Sequence, residues 1–216
     1  MKKRIYLLCL SLAIVLVAVA QEKAIKVACI GNSITYGSGI KDRANDSYPA
    51  VLGKLLGDKY EVRNYGISGR TLLNNGDRPY MKEDKFQEVQ KYLPDIVVIK
   101  LGTNDSKPQN WKYKEEFSND MQTMINILKN LSSKPQIYLC YPAKAYGVAF
   151  GINDSIIENS VIPYIKKVAK KNKLRTIDLQ SATDGMPENF PDKIHPNEKG
   201  AAVIAETVYN AIKKKK

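Results

Sequence analysis

The chain has 216 residues, of which 44% are hydrophobic and 26% are charged. This globular composition excludes a disordered or collagen-like chain. The net charge is +12, but Lys2, Lys3 and Arg4 and the lysine run at residues 213–216 carry much of the excess. The remainder is only mildly basic and has no clustered basic stripe, so we expect no nucleic-acid partner.

Residues 1–20 have the three parts of a secretory signal peptide. Lys2, Lys3 and Arg4 give a positive start, residues 5–17 an apolar stretch, and residues 18–20 a small-residue cleavage site. The alternative is a retained membrane anchor, because the apolar stretch nearly reaches the roughly 18 residues that can span a bilayer. The sequence therefore predicts a secreted or periplasmic protein with a mature domain at residues 21–216. No membrane contact is expected once the signal peptide is removed.

Through the rest of the chain, short apolar runs alternate with segments of helical period, the pattern of βαβ units around a parallel sheet. The predicted strands are residues 24–30, 60–66, 95–101, 136–141 and 174–179. The predicted helices are residues 48–57, 82–93, 113–131 and 154–171, followed by a last helix that begins near Asn197. We expect Asn197 to cap that helix. Pro163 should kink or break the fourth helix. These elements predict one α/β domain.

Polar or glycine-rich segments follow four of the strands, and the carboxyl ends of parallel strands meet at one edge of a sheet. In chain order these segments are GNSIT, NYGISG, GTND and DKIHP. Ser33, Gly69 and Asn104 each lie about three residues beyond a predicted strand, so all three are expected to reach one point.

The residue types in these segments suit acyl transfer, which needs a nucleophile, a base and donors for an oxyanion. His195 is the only histidine, and Asp192 is placed to hold its Nδ1–H so that Nε2 faces Ser33. The backbone N–H groups of Ser33 and Gly69 and the side-chain amide of Asn104 would form an oxyanion hole. Each residue alone also fits a turn, cap or surface role. The combination at one edge of the sheet indicates a serine hydrolase.

These segments resemble the conserved blocks of the GDSL/SGNH-family serine hydrolases, whose signature residues are Ser, Gly, Asn and His. GNSIT supplies Ser33, NYGISG supplies Gly69, GTND supplies Asn104, and DKIHP supplies Asp192 and His195. The resemblance covers essentially the whole mature chain. It implies a flavodoxin-like, three-layer α/β/α sandwich with a parallel five-stranded sheet of order 2-1-3-4-5, and ester hydrolysis through an acyl-serine. Asn32 stands where the family usually has an aspartate, a position outside the catalytic machinery.

Substrate specificity is expected in the loops at the same sheet edge, residues 70–80, 106–112, 143–153 and 181–193. We predict that Arg70, Trp111 and Tyr146 contact substrate, because aromatic rings beside polar side chains suit a sugar. The alternative for Trp111 is packing against the start of helix 113–131. With one histidine and no metal-ligand spacing, neither a metal nor another cofactor is expected.

Secreted members of the family that this chain resembles often remove acetyl groups from glycans. The resemblance therefore implies an esterase that hydrolyses acetyl esters on carbohydrate. Two alternatives remain open. One is a lysophospholipase or thioesterase with the same Ser33, His195 and Asp192. The other is a glycan-binding protein that keeps the fold without activity. The oligomeric state is left open.

Overall fold

A computed structural model describes residues 23–213. The predicted signal peptide at residues 1–20 lies outside the described residues. A five-stranded parallel sheet runs through the middle of the described chain in the order β2-β1-β3-β4-β5. The strands are β1 (Ile25–Gly31), β2 (Tyr60–Gly66), β3 (Ile96–Lys100), β4 (Gln136–Tyr141) and β5 (Arg175–Asp178). The predicted sheet and its strand order are confirmed.

Helices cover both faces of this sheet and make a three-layer sandwich. The longer helices are α1 (Tyr48–Leu56), α2 (Asp84–Tyr92), α3 (Phe117–Lys129), α4 (Ile162–Asn172) and α5 (Glu198–Lys213). Helices α1 and α5 pack on one face, and α2, α3 and α4 pack on the other. All five residues of β3 are buried because both of its faces are covered.

Shorter helical segments lie in the connections. They are the α-helical turns Ser33–Tyr36, Arg43–Asp46, Pro108–Trp111, Asp154–Ile156 and Leu179–Ala182, and the 3₁₀ turns Tyr80–Lys82, Asn104–Ser106, Lys114–Glu116 and Pro187–Asn189. The predicted helix 113–131 is therefore too long at its start. The Tyr113 N–H bonds to the Asn110 carbonyl and the Glu116 N–H to the Tyr113 carbonyl, and these i to i+3 bonds tighten the chain before α3.

Pro163 widens the fourth predicted helix rather than ending it. The segment runs as Asp154–Ile156, a π-helical turn at Ile157–Val161, and then α4. Proline has no N–H and its ring conflicts with the carbonyl four residues earlier, so the turn before it takes a wider spacing. The predicted cap of the last helix is present, because the Gly200 N–H donates to Asn197 Oδ1 at 3.1 Å.

A two-stranded antiparallel hairpin, Val148–Ala149 with Ile152–Asn153, lies within residues 143–153, which the sequence predicts to be a loop. Among residues 23–213, no helix is both long and apolar enough to cross a bilayer.

Candidate active site

Ser33 opens a short helix, Ser33–Tyr36, that leaves the end of β1 directly. Asn32 caps this helix, and its Oδ1 accepts the Ile34 N–H at 3.2 Å. The helix sits against the end of β2 because Gly66 has no side chain, and a Cβ there would lie 2.2 Å from the Tyr36 nitrogen. These contacts hold Ser33 at the carboxyl edge of the sheet, where Ser33 is only 7% exposed.

His195 and Asp192 meet Ser33 through a continuous pair of hydrogen bonds. The distance from His195 Nε2 to Ser33 Oγ is 2.8 Å, and that from His195 Nδ1 to Asp192 Oδ2 is 2.6 Å. Asp192 Oδ1 also accepts the backbone N–H groups of Ile194 at 3.0 Å and His195 at 2.7 Å. The carboxylate thus fixes both the loop and the ring that the loop carries.

Asp192 is held in its ionised form. Partial burial raises the pKa of its carboxyl, but the hydrogen bonds from the His195 backbone and ring and from the Ile194 backbone outweigh this effect and lower the pKa overall. An unprotonated carboxylate can only accept a hydrogen bond, so Nδ1 of the ring carries a hydrogen, and in the neutral imidazole Nε2 is then the acceptor that faces the Ser33 hydroxyl.

Gly69 and Asn104 lie on neighbouring loops that are bonded to each other. Gly69 has a φ of +81°, a left-handed conformation that favours glycine. The Asn104 Nδ2 donates one hydrogen to the carbonyl of Arg70 at 3.1 Å, which leaves its second hydrogen for another acceptor. The Ser33 N–H is at the first position of its helix, where no acceptor within the helix exists. This set of donors suits a negative oxygen.

Asp105, the residue directly after Asn104, is a structural residue of the site. It is fully buried, and its carboxylate accepts the N–H groups of Leu72 at 3.1 Å and Leu73 at 2.8 Å. Nearby, Asn110 Nδ2 donates to the Asn104 carbonyl at 2.9 Å. Asp105 therefore ties the segment after Gly69 to the loop of Asn104. The only sequence signal was the position of an aspartate directly after Asn104.

Replacing Asp105 with asparagine should destabilise the fold by about 2–4 kcal/mol, because an amide would turn an NH₂ group toward one of two buried backbone donors. Burial raises the pKa of Asp105 to about 6, so the comparison is made at pH 8, where the carboxyl is ionised. Urea unfolding of Asp105→Asn and of the exposed control Asp58→Asn measures the difference. Equal losses in the two variants would contradict the proposed anchoring.

Lys100 is a second residue of the site that no sequence pattern singles out, because it is the last residue of the apolar strand β3. It is fully buried, and its Nζ lies 3.3 Å from Oδ1 of Asn32, the residue before Ser33. Burial lowers the pKa of this amine from 10.5 to about 7. An aspartate at position 32 would supply a compensating negative charge, but the Asn32 amide does not.

Because the folded-state pKa of Lys100 lies below its value in the unfolded chain, the unfolded chain binds more protons between about pH 7 and 10.5. The free energy of unfolding should therefore rise by about 2 kcal/mol from pH 6.5 to 8.5, and Lys100→Met should remove this rise. Burial raises the pKa of the Cys140 and Cys29 thiols from 9.0, which opposes the rise near the upper end of this range and affects wild type and Lys100→Met alike. Burial likewise raises the pKa of Tyr48, which contacts Cys29.

Urea unfolding at three pH values within this window measures the effect, with the exposed Lys91→Met as the matched control that should keep the wild-type slope. The same slope in Lys100→Met and in wild type would contradict a neutral, buried amine.

Arg70 and Tyr146, two of the predicted substrate contacts, have partners within the protein. Arg70 pairs with Glu83 at 2.8 Å, and its Nη1 donates to the Ser68 carbonyl at 2.9 Å. The Tyr146 hydroxyl donates to the Thr183 carbonyl and accepts the Met186 N–H at 2.9 Å. Both side chains brace the loops next to the site, and their contact with substrate stays a prediction.

Trp111 packs against the start of α3, as the alternative to substrate contact predicts. Its ring meets Phe117, the first residue of α3, edge to face with centroids 5.8 Å apart, and Tyr164 of α4 at 5.9 Å. Tyr80, an aromatic residue of the loop 70–80, is fully buried. In the described part of the chain, no group of three or more His, Cys, Asp or Glu side chains is placed to hold a metal ion.

Comparison with known proteins adds to this geometry. The chain is 46% identical over 212 residues to an acetylxylan esterase of Xylanibacter ruminicola, an alignment that covers 89% of this chain and 44% of that protein. It is 26% identical over 155 residues to a multidomain esterase of Ruminococcus flavefaciens, covering 66% of this chain and 19% of that protein. The chain thus spans less than half the length of these two relatives.

Among solved structures, a carbohydrate acetylesterase family member from Sinorhizobium meliloti superimposes with a TM-score of 0.69 at 20% identity, covering 87% of this chain and 97% of that one. At this identity the likeness shows the shared fold. The model of the GDSL-like lipase/acylhydrolase family matches residues 29–203, which include Ser33, Gly69, Asn104, Asp192 and His195. The predicted resemblance is therefore confirmed, and the chain belongs to the GDSL-like lipase/acylhydrolase family.

Proposed function

We propose that this protein is a serine esterase that hydrolyses acetyl esters on carbohydrate through an acyl-serine intermediate. The observation that carries the proposal is the unbroken line of hydrogen bonds from Asp192 through His195 to the Ser33 hydroxyl, at 2.6 and 2.8 Å. A serine hydroxyl is a poor nucleophile unless a base in direct contact removes its proton.

In the first half of the reaction, Ser33 Oγ attacks the ester carbonyl carbon and its proton passes to His195 Nε2. The carbonyl oxygen becomes an oxyanion that accepts hydrogen bonds from the Ser33 and Gly69 N–H groups and the free hydrogen of Asn104 Nδ2. Ionised Asp192 stabilises the imidazolium through Nδ1. When the carbonyl re-forms, the bond to the sugar oxygen breaks, and that oxygen takes the proton from His195.

In the second half, a water molecule attacks the acyl carbon on Ser33 and gives its proton to His195 Nε2. The second tetrahedral intermediate is held by the same donors. Its collapse returns the proton to Ser33 Oγ and releases acetic acid, which ionises to acetate in solution. The His195 ring and Ser33 Oγ return to their starting protonation states, so each turnover consumes one ester and one water molecule.

Two observations support an acetyl ester on carbohydrate as the substrate. The acetylxylan esterase of Xylanibacter ruminicola aligns over 89% of this chain. The residues beside Ser33 and His195 include polar donors and an exposed aromatic ring, Phe150, whose centroid lies 5.9 Å from that of His195. We also propose that the protein works outside the cytoplasm, on the strength of the signal-peptide pattern at residues 1–20.

Acetate release from acetylated xylo-oligosaccharides, compared with hydrolysis of p-nitrophenyl acetate and p-nitrophenyl octanoate, tests the proposal. Wild type should release acetate from the oligosaccharides and prefer the acetyl to the octanoyl ester, and Ser33→Ala should be inactive on all three. A strong preference for octanoate would overturn the acetyl specificity and favour a lysophospholipase or thioesterase. Activity on no ester at all would favour a glycan-binding protein of the same fold.

A further inference from the structure

The hairpin at residues 148–153 is anchored to both loops that carry the proposed catalytic groups. Just before the hairpin, the Tyr146 N–H donates to the carbonyl of Lys193, on the loop of Asp192 and His195, at 2.8 Å. At its far end, the Asn153 N–H donates to Ser106 Oγ at 3.1 Å, two residues beyond Asn104. The hairpin therefore bridges the histidine side and the oxyanion side of the site and forms a wall beside it.

Phe150 lies at the turn of this hairpin, and it is 64% exposed. Its φ is +53°, in the left-handed region that a residue such as phenylalanine rarely adopts and that is energetically unfavourable for it. Its ring nevertheless lies against the His195 ring, with centroids 5.9 Å apart. An aromatic ring that is exposed, held in a costly conformation and placed beside a proposed catalytic base is a candidate for binding substrate.

The chemistry of the proposed reaction decides which part of the substrate would meet Phe150. His195 Nε2 must give its proton to the leaving oxygen, so the alcohol portion of the ester lies on the histidine side of the site. The acyl carbonyl points the other way, toward the donors of Gly69 and Asn104. Phe150 flanks His195, so the group it faces is the one attached to the leaving oxygen.

We propose that Phe150 is the stacking platform for the sugar ring that carries the ester, and that it determines specificity for the alcohol half of the substrate. The inference rests on the proposed function. The C–H face of a pyranose is apolar and can lie flat on an exposed aromatic ring, whereas its hydroxyl groups stay in water. The anchored hairpin holds that platform in place before substrate arrives, which lowers the entropic cost of binding.

Three variants test the platform. Phe150→Asn removes the ring but keeps a residue that tolerates the left-handed conformation, and Phe150→Trp keeps an aromatic face. Val148→Ser is the matched control, because Val148 is also 64% exposed on the same hairpin. Steady-state kinetics are measured on an acetylated xylo-oligosaccharide and on ethyl acetate, whose alcohol has no ring. Thermal unfolding of each variant shows whether it is folded.

Phe150→Asn should lower kcat/KM on the oligosaccharide about tenfold, mainly through KM, and lower it far less on ethyl acetate. Phe150→Trp should restore most of the loss, and Val148→Ser should resemble wild type. Equal losses on both substrates would overturn the platform, because they would mean that Phe150 acts by supporting His195. A Val148→Ser loss as large as that of Phe150→Asn would also overturn it.

Failure of the proposed function is visible separately. If wild type releases acetate from no glycan, the proposed carbohydrate substrate fails before any variant is measured, and the platform fails with it. If wild type is active on glycans and Phe150→Asn behaves like wild type on the oligosaccharide, only the platform is overturned.

Discussion

His195→Ala is expected to reduce kcat on an acetyl ester by about 10⁴- to 10⁶-fold, an effect comparable to that of removing the nucleophile in Ser33→Ala. His195 is the only histidine in the sequence, so no second imidazole can take the Ser33 proton. The ring is 18% exposed and its loop is held by the backbone bonds to Asp192. The variant should therefore fold and unfold much as wild type does.

Steady-state kinetics on p-nitrophenyl acetate, with thermal unfolding in parallel, measure this loss. Asp192→Asn is the graded comparison, and it should cost about 10³- to 10⁴-fold, because the amide spoils the ring's hydrogen-bond pattern but leaves the base in place. A His195→Ala variant that keeps more than about 1% of the wild-type kcat would contradict its role as the base.

Outside the Ser33, His195 and Asp192 set, the largest effect is expected for Asn104→Ala, a fall in kcat of about 10²- to 10³-fold, or roughly 3–4 kcal/mol of barrier. The second amide hydrogen of Asn104 is proposed to bond to the carbonyl oxygen of the substrate only when that oxygen becomes negative. An interaction made only in the transition state should lower kcat and leave KM nearly as it was. The bond from Nδ2 to the Arg70 carbonyl is lost as well, so some loss of stability should accompany the kinetic change.

Comparison of kcat and KM on p-nitrophenyl acetate, with thermal unfolding of the same samples, separates these two consequences. Asn104→Asp is the matched variant, since it keeps the size of the side chain, removes the donor and adds a negative charge next to the proposed oxyanion. It should be at least as impaired as Asn104→Ala. A kcat within about threefold of wild type in Asn104→Ala, well below the cost of a lost donor, would contradict the oxyanion role.

The sheet and the ends of its strands were predictable because local patterns carry that information. The apolar run of β3 indicates a strand covered on both faces, and the predicted bounds of β2 and β4 agree with the structure. Ser33 could be picked out because it follows a strand, at the edge where the ends of parallel strands meet. His195 could be picked out because it is the only histidine in the sequence, with Asp192 three residues before it.

Other features depend on contacts between distant parts of the chain, which spacing alone does not reveal. Asp105 bonds to residues 32 and 33 positions earlier, and Lys100 reaches Asn32 over 68 positions. Trp111 is an aromatic residue in a loop with polar neighbours, which suits sugar binding, but its ring contacts Phe117 and Tyr164 in the structure. The hairpin carrying Phe150 consists of two-residue strands, which are too short for a period of two to be recognised.

Labelling with a fluorophosphonate, followed by mass spectrometry of the digested protein, examines the nucleophile itself. The reagent should form a single stable adduct on Ser33, abolish ester hydrolysis in proportion to labelling, and fail to label Ser33→Ala. An active enzyme whose inhibition tracks an adduct on another side chain, or one that loses no activity when Ser33 is fully modified, would contradict the account.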